Sequence, residues 1–173
     1  MKITDLLWIL AYPVYQLIGT LRHEASHALA AVLEGARITE FVFWPTRGYW
    51  GYVIWEGPVT SATLGAPYVC DLLTFGLFFV LCMAGRFERR WVWLNAVVLG
   101  MLSPLINSVY NYWGGLHGPN DVGKLLESLP AIYVHAYFWF TMGFYLVGLV
   151  LVFKWSRTAR DKRDGVGTIS EGI

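Results

Sequence analysis

Two runs of this chain, residues 91–120 and 128–153, contain no Asp, Glu, Lys or Arg, and a third, between Glu56 and Arg86, contains only Asp71. A helix that crosses the hydrocarbon core of a bilayer needs about 20 predominantly apolar residues, and each run supplies them. Residues 6–21 are also uncharged, and beyond Arg22, His23 and Glu24 the apolar pattern resumes to Leu33. The expected fold is an all-α membrane protein with about four transmembrane helices, near 5–34, 59–84, 91–113 and 130–153. The first is long for a simple span and should tilt or project beyond the hydrocarbon. Composition agrees: hydrophobic residues make up 56 %, charged residues 14 %, and mean hydropathy is +0.48. A soluble domain carries about 25 % charged residues. With a net charge of +1 and no basic stripe, nothing points to nucleic acid.

Between the first two runs the pattern changes. Arg37–Trp44 and Tyr49–Glu56 are rich in β-branched and aromatic residues, and Pro45-Thr-Arg-Gly48 is a natural turn between them. This predicts a β-hairpin over 37–56, lying at or dipping into a membrane interface. Cys70 and Cys82 are the only cysteines. Twelve helical residues separate them by roughly 18 Å, too far for a disulfide, so they read as packing residues. No cleavable leader is expected, because the first apolar stretch runs directly into the chemistry-bearing motif.

The short loops set the orientation. Arg86, Arg89 and Arg90 lie between the second and third spans, and Lys154, Arg157, Arg160, Lys162 and Arg163 follow the fourth. An even number of spans places both clusters and the N-terminus on one side, which should be the cytoplasm of a cell membrane. A membrane-embedded domain over 1–155 then ends in a polar cytoplasmic tail, 156–173, expected to be mobile.

His23-Glu24-Ala25-Ser26-His27 is an HExxH motif inside the first predicted helix. Residues i and i+4 share a helix face, so both imidazoles reach one ion. Glu24, beside His23, can take a proton from a water activated at that ion without being a ligand. With four His in the chain, chance supplies only about 0.004 such motifs. Charged groups within a span are costly and usually functional. Arg22 should snorkel to the interface or pair with an acid such as Asp71 or Glu24.

Zinc bound by two helical His needs a third protein ligand, with a fourth position left open. Asp121, in the loop Gly114-Gly-Leu-His-Gly-Pro-Asn-Asp121 after span three, lies on the motif's side of the membrane and is the leading choice. His117 is the alternative, and Asn120 or Asp121 could instead cap a short helix. Asp71, mid-span, reads as a structural group or a partner that orients a ligand. His135 reads as a hydrogen-bonded core histidine. Asn107 and Asn111 read as helix–helix glue, with an amide offered to an oxyanion as the less expected role.

HEASHALAA on the first span, a β-hairpin, further spans and a later Asn-Asp resemble the site-2 protease family of intramembrane zinc metalloproteases. The resemblance covers roughly residues 10–125. It implies that His23 and His27 are zinc ligands, Glu24 the general base and Asp121 the third ligand. It also implies hydrolysis of peptide bonds in membrane-protein or peptide substrates within or beside the bilayer. The family's Asn-Pro…Leu-Asp-Gly segment is replaced here by Gly-Pro-Asn-Asp-Val-Gly, so the chain looks like a divergent, minimal member. Two other functions fit the same residues: a metal hydrolase acting on lipid or a small amide, and a non-catalytic adaptor with a vestigial motif.

The orientation is open to a direct test. Single cysteines at Thr46 and Thr168, in a background lacking Cys70 and Cys82, should react with an impermeant thiol reagent from opposite sides of the membrane. Reaction of both from one side would overturn the four-span arrangement.

Overall fold

The computed structural model describes residues 12–46, 48, 50–85, 87 and 89–167. Its elements are α1 (Tyr12–Leu33), β1 (Arg37–Val42), β2 (Tyr52–Glu56), α2 (Ser61–Met83), α3 (Arg90–Val97), a π-helical segment (Val98–Leu102), α4 (Ser103–His117), α5 (Asp121–Ser128) and α6 (Ala131–Gly167). The segment from α3 to α4 is one continuous helix of 28 residues.

Among the described residues, Ser61–Met83, Arg90–His117 and Ala131–Ser156 are long and apolar enough to cross a membrane. Leu73, Leu77, Val80, Trp139, Phe140 and Val150 on their outer faces are exposed, as expected of helices solvated by lipid. α1 is not among the three. Its 22 residues span about 33 Å, which is sufficient length, but Arg22, His23, Glu24 and His27 dilute its apolar character. The expected start of that span at residue 5 lies outside the described residues.

Three boundaries differ from expectation. The third span runs on through Gly114 and Gly115 to His117, leaving only residues 118–120 as the connection to α5. α6 continues to Gly167, past the expected end at 153 and through most of the polar tail. The hairpin is present, but its strands are shorter than expected and its connection, 43–51, is longer. The ladder pairs Arg37 with Glu56 and Val42 with Tyr52, antiparallel, with an irregularity between Ile38 and Glu40.

α1 ends on Gly35, whose φ of 91° is open to glycine at little cost. The amides of Gly35 and Ala36 bond back to the carbonyls of Val32 and Ala31, at 3.0 and 2.9 Å. That reversal sends the chain into β1. Glu34 then ties the end of α1 to the start of α2, accepting from the Thr60 backbone N–H and hydroxyl, each at 2.6 Å. The Thr60 hydroxyl and N–H hold the Glu34 carboxyl below its ordinary range.

Two apolar clusters fill the bundle. Phe75, Met101, Tyr145 and Val152 centre one, and Tyr68, Tyr112, Val122 and Phe138 centre the other. The second matters for the site, because Val122 and Leu125 seat α5 on it. Gly115 allows this seating: a Cβ there would lie 2.6 Å from the Val122 Cβ and 2.8 Å from the Gly123 nitrogen.

Candidate metal centre

His23 and His27 stand one turn apart on the buried face of α1, their rings edge-on with centroids 4.9 Å apart. Asp121 reaches them from α5. Its Oδ2 lies 3.0 Å from His27 Nε2 and 3.5 Å from His23 Nε2. One ligand atom from each of the three residues falls within 4.8 Å of the others. Three tetrahedral ligands about 2.0–2.1 Å from a zinc ion stand roughly 3.3 Å apart, so the spacing of this group suits such an ion.

The connection to α5 explains how Asp121 is free to face the histidines. Asn120 is the cap: its Oδ1 accepts from Gly123 N–H at 3.0 Å, and its Nδ2 donates to the Asn111 carbonyl at 2.8 Å. Asp121 is therefore the first helical residue and is spared the capping role. Burial pushes the Asp121 carboxyl up, but the hydrogen bonds and charges of His23 and His27 more than reverse this and hold it well below the ordinary carboxylate range.

The donor chemistry fits a cation. His27 Nδ1 lies 2.8 Å from the Thr63 carbonyl oxygen, which can only accept, so Nδ1 carries the proton and donates. In the neutral ring Nε2 then presents a lone pair to a carboxylate oxygen 3.0 Å away. Two acceptors that close need a positive charge between them, either a proton or a metal ion. His23, His27 and Asp121 would hold zinc here, and the imidazole and carboxylate set suits that metal.

Glu24, buried, shares the turn. It is covered from the hairpin side: a Cβ on Gly51 would lie 2.5 Å from Thr20 Cγ2 and 3.2 Å from Glu24 Cγ. Trp55 of β2 places its ring 6.1 Å from that of His27, and the Tyr68 ring stands edge-on to His23 at 5.7 Å. The hairpin and α2 thus wall the group on two sides.

Behind the motif, Arg22 is held by Asp71, Leu99 and Ser103. Its Nη2 lies 2.7 Å from Asp71 Oδ1, and Nε donates to the same oxygen at 2.9 Å. Nη1 donates to the Leu99 carbonyl at 3.2 Å, and Nη2 to the Ser103 hydroxyl at 3.3 Å. The Leu99 carbonyl is available because of local backbone chemistry. Ser103 N–H bonds to Val98 in the π pattern, and residue 104 is a proline with no N–H to give. The other Asp71 oxygen accepts from Asn107 Nδ2 at 2.7 Å, and that amide also lies 3.2 Å from His23 Nδ1. Asn111 bonds back to Asn107. Both amides are thus engaged in bracing, and Asp71 supports His23 through one of them.

The two other histidines stand elsewhere. His117 is exposed at the end of α4, with Nδ1 donating to the Trp113 carbonyl at 2.8 Å, and it does not join the group. His135 pairs with the Tyr112 hydroxyl at 2.9 Å in the second cluster. Thr63, Tyr68, Gly51 and Trp55 were not singled out by the sequence, and nothing in the pattern around them marks a role at the site. Pro67 and Pro104, each lying inside an apolar span, were readable signals of a broken backbone ladder.

A model of the Peptidase M50B-like family matches residues 3–117 of the chain. The match spans well over half of the chain and stops four residues before Asp121. The chain belongs to this family of peptidases, in keeping with its likeness to the site-2 proteases. Comparison with curated proteins and with solved structures gave no match.

The Arg22–Asp71 pair yields a stability test. Removing one member of a buried pair leaves the other uncompensated and costs about 3–5 kcal/mol, whereas an apolar replacement of both is often neutral. Asp71→Ala should therefore unfold at distinctly lower temperature in lipid nanodiscs, and Arg22→Met combined with Asp71→Leu should recover most of the loss. A single variant as stable as the parent would show that the pair is dispensable.

Proposed function

We propose that this chain is a membrane-embedded zinc endopeptidase of the HExxH type, cutting peptide bonds of membrane-protein substrates within or beside the bilayer. The observation that carries the reading is the convergence of both motif histidines with a carboxylate 94 positions beyond His27. Membership of a peptidase family supports it. His23, His27 and Asp121 are the metal ligands, and Glu24 is the general base. Zinc, when bound, supplies Lewis acidity toward the scissile carbonyl and toward water. Glu24 accepts the proton of the attacking water as its oxygen bonds to the carbonyl carbon. It then passes that proton to the amine as the C–N bond breaks. The walls formed by Trp55, Gly51 and Tyr68 restrict bulk water at the site.

In this reading α1 is a fourth crossing, in which His23, Glu24 and His27 are offset by their partners rather than by solvent. The protein is then a multi-pass protein of the cell membrane with both termini cytoplasmic and the hairpin on the opposite side. A helical substrate must become extended to be cut, and a free strand edge of the hairpin pairs with the extended segment by strand addition. Val53→Pro should then slow cleavage of a helical substrate more than that of a short extended peptide. Equal losses would leave the hairpin as a wall alone.

The ligand and base assignments separate in one set of variants. Glu24→Gln should keep zinc and lose cleavage by several orders of magnitude. Asp121→Ala should lose both zinc and cleavage, and His117→Ala should keep both. Zinc retained in Asp121→Ala and lost in His117→Ala would reverse the ligand assignment. Full activity in Glu24→Gln would sink the mechanism, and release of lipid fragments without peptide products would point to a different hydrolase.

A further inference from the structure

Pro67 is the seventh residue of α2, well inside the helix and buried. A helical N–H at position 67 would bond to the carbonyl of Thr63, four residues back, but proline has no N–H and its ring crowds that carbonyl. An unbonded carbonyl inside an apolar bundle is costly and must find another donor. The donor is supplied by a different helix: His27 Nδ1–H, at 2.8 Å.

We infer that Pro67 is a positioning residue for the metal centre: by denying Thr63 its backbone donor, it keeps a carbonyl free to fix the tautomer and rotation of His27. The inference rests on the metal-centre reading above. A carbonyl can only accept, so this contact admits one tautomer of the neutral ring, with Nδ1 protonated and the Nε2 lone pair aimed at Asp121 Oδ2. His23 has no backbone partner: its Nδ1 faces the Asn107 side-chain amide, whose Nδ2 also donates to Asp71 and whose Oδ1 accepts from Asn111. Of the two motif histidines, His27 is the one whose orientation is set by backbone, and Pro67 is what makes that backbone atom available. The Leu99 carbonyl, left free by Pro104 and taken by Arg22, repeats the device one position before the motif.

The test separates the missing N–H from the ring. In the full chain in nanodiscs, Pro67→Ala restores an N–H that competes for the Thr63 carbonyl. Replacing Pro67 with lactic acid, as a backbone ester, removes the ring without supplying an N–H. Zinc affinity would be measured by chelator competition. Partners of this kind are typically worth 10–100-fold in metal affinity. The expected result is a loss of about tenfold or more in Pro67→Ala, with affinity close to the parent's in the ester variant. Equal losses in the two variants, or parental affinity in Pro67→Ala, would overturn the inference. Nitrogen NMR of the His27 ring, assigned with His27→Ala, gives a second readout on the unsubstituted protein. An Nδ1–H that exchanges slowly supports the inference, and an unprotonated Nδ1 overturns it even if Pro67→Ala fails to fold. Zinc binding that ignores His27→Ala would instead defeat the metal-centre reading, while the ring-proton measurement would still decide the contact.

Discussion

A helix that carries Arg22, His23, Glu24 and His27 in six consecutive positions cannot enter an apolar bundle unless its polar groups are met by partners inside the protein. Much of the architecture answers that requirement. Asp71 on α2 neutralises Arg22, and Asn107 on α4 links Asp71 to His23. Asp121 on α5 faces both histidines, and two carbonyls freed by prolines take the remaining donors of Arg22 and His27. The cost of an unmet charge in this setting is several kcal/mol, comparable to the whole stability of a small domain. Polar partners on α2, α4 and α5 therefore constrain the position and rotation of α1.

The parts of this arrangement that rest on side-chain chemistry were legible in the sequence. HEASH announces its helix face because i and i+4 must coincide, and Asp121, sought on the same side as a candidate third ligand, does lie beside both histidines. Asn120 does the capping, which the adjacent pair Asn-Asp left ambiguous, and Asp121 beside it faces the two histidines. The hairpin was legible from β-branched and aromatic runs, although its ends were not, because Phe43 and Trp44 suit a strand and a packed loop equally well. Boundaries governed by the backbone were harder to read. Gly114 and Gly115 look like a break, yet here they stay helical because α5 needs to pack closely against them. The π-helical segment is invisible to apolar periodicity, since Val98–Leu102 would serve an α-helix just as well. The carbonyl contacts are harder still, because they depend on atoms every residue possesses and on which neighbour happens to be a proline.

The hairpin and α5 both lie against the same group. β2 brings Trp55 and the loop before it brings Gly51 over α1, while α5 closes from the α4 side. Neither of these two is one of the apolar spans, so connecting segments, together with Tyr68 of α2, make up the site's cover. The small residues at their contact points, Gly51 and Gly115, show how closely each connection is pressed onto its neighbour.

The separation of Asp121 from His27 along the chain has a consequence for biosynthesis. A nascent polypeptide made only as far as Gly118 contains the HExxH helix and every residue of the hairpin, but one donor too few for the site described here. The segment that completes the set comes after three long helices in the chain. On the proposed ligand set, metal capture thus waits for α5 to be synthesised, and a nascent chain that stops short of it lacks one of the three proposed ligands.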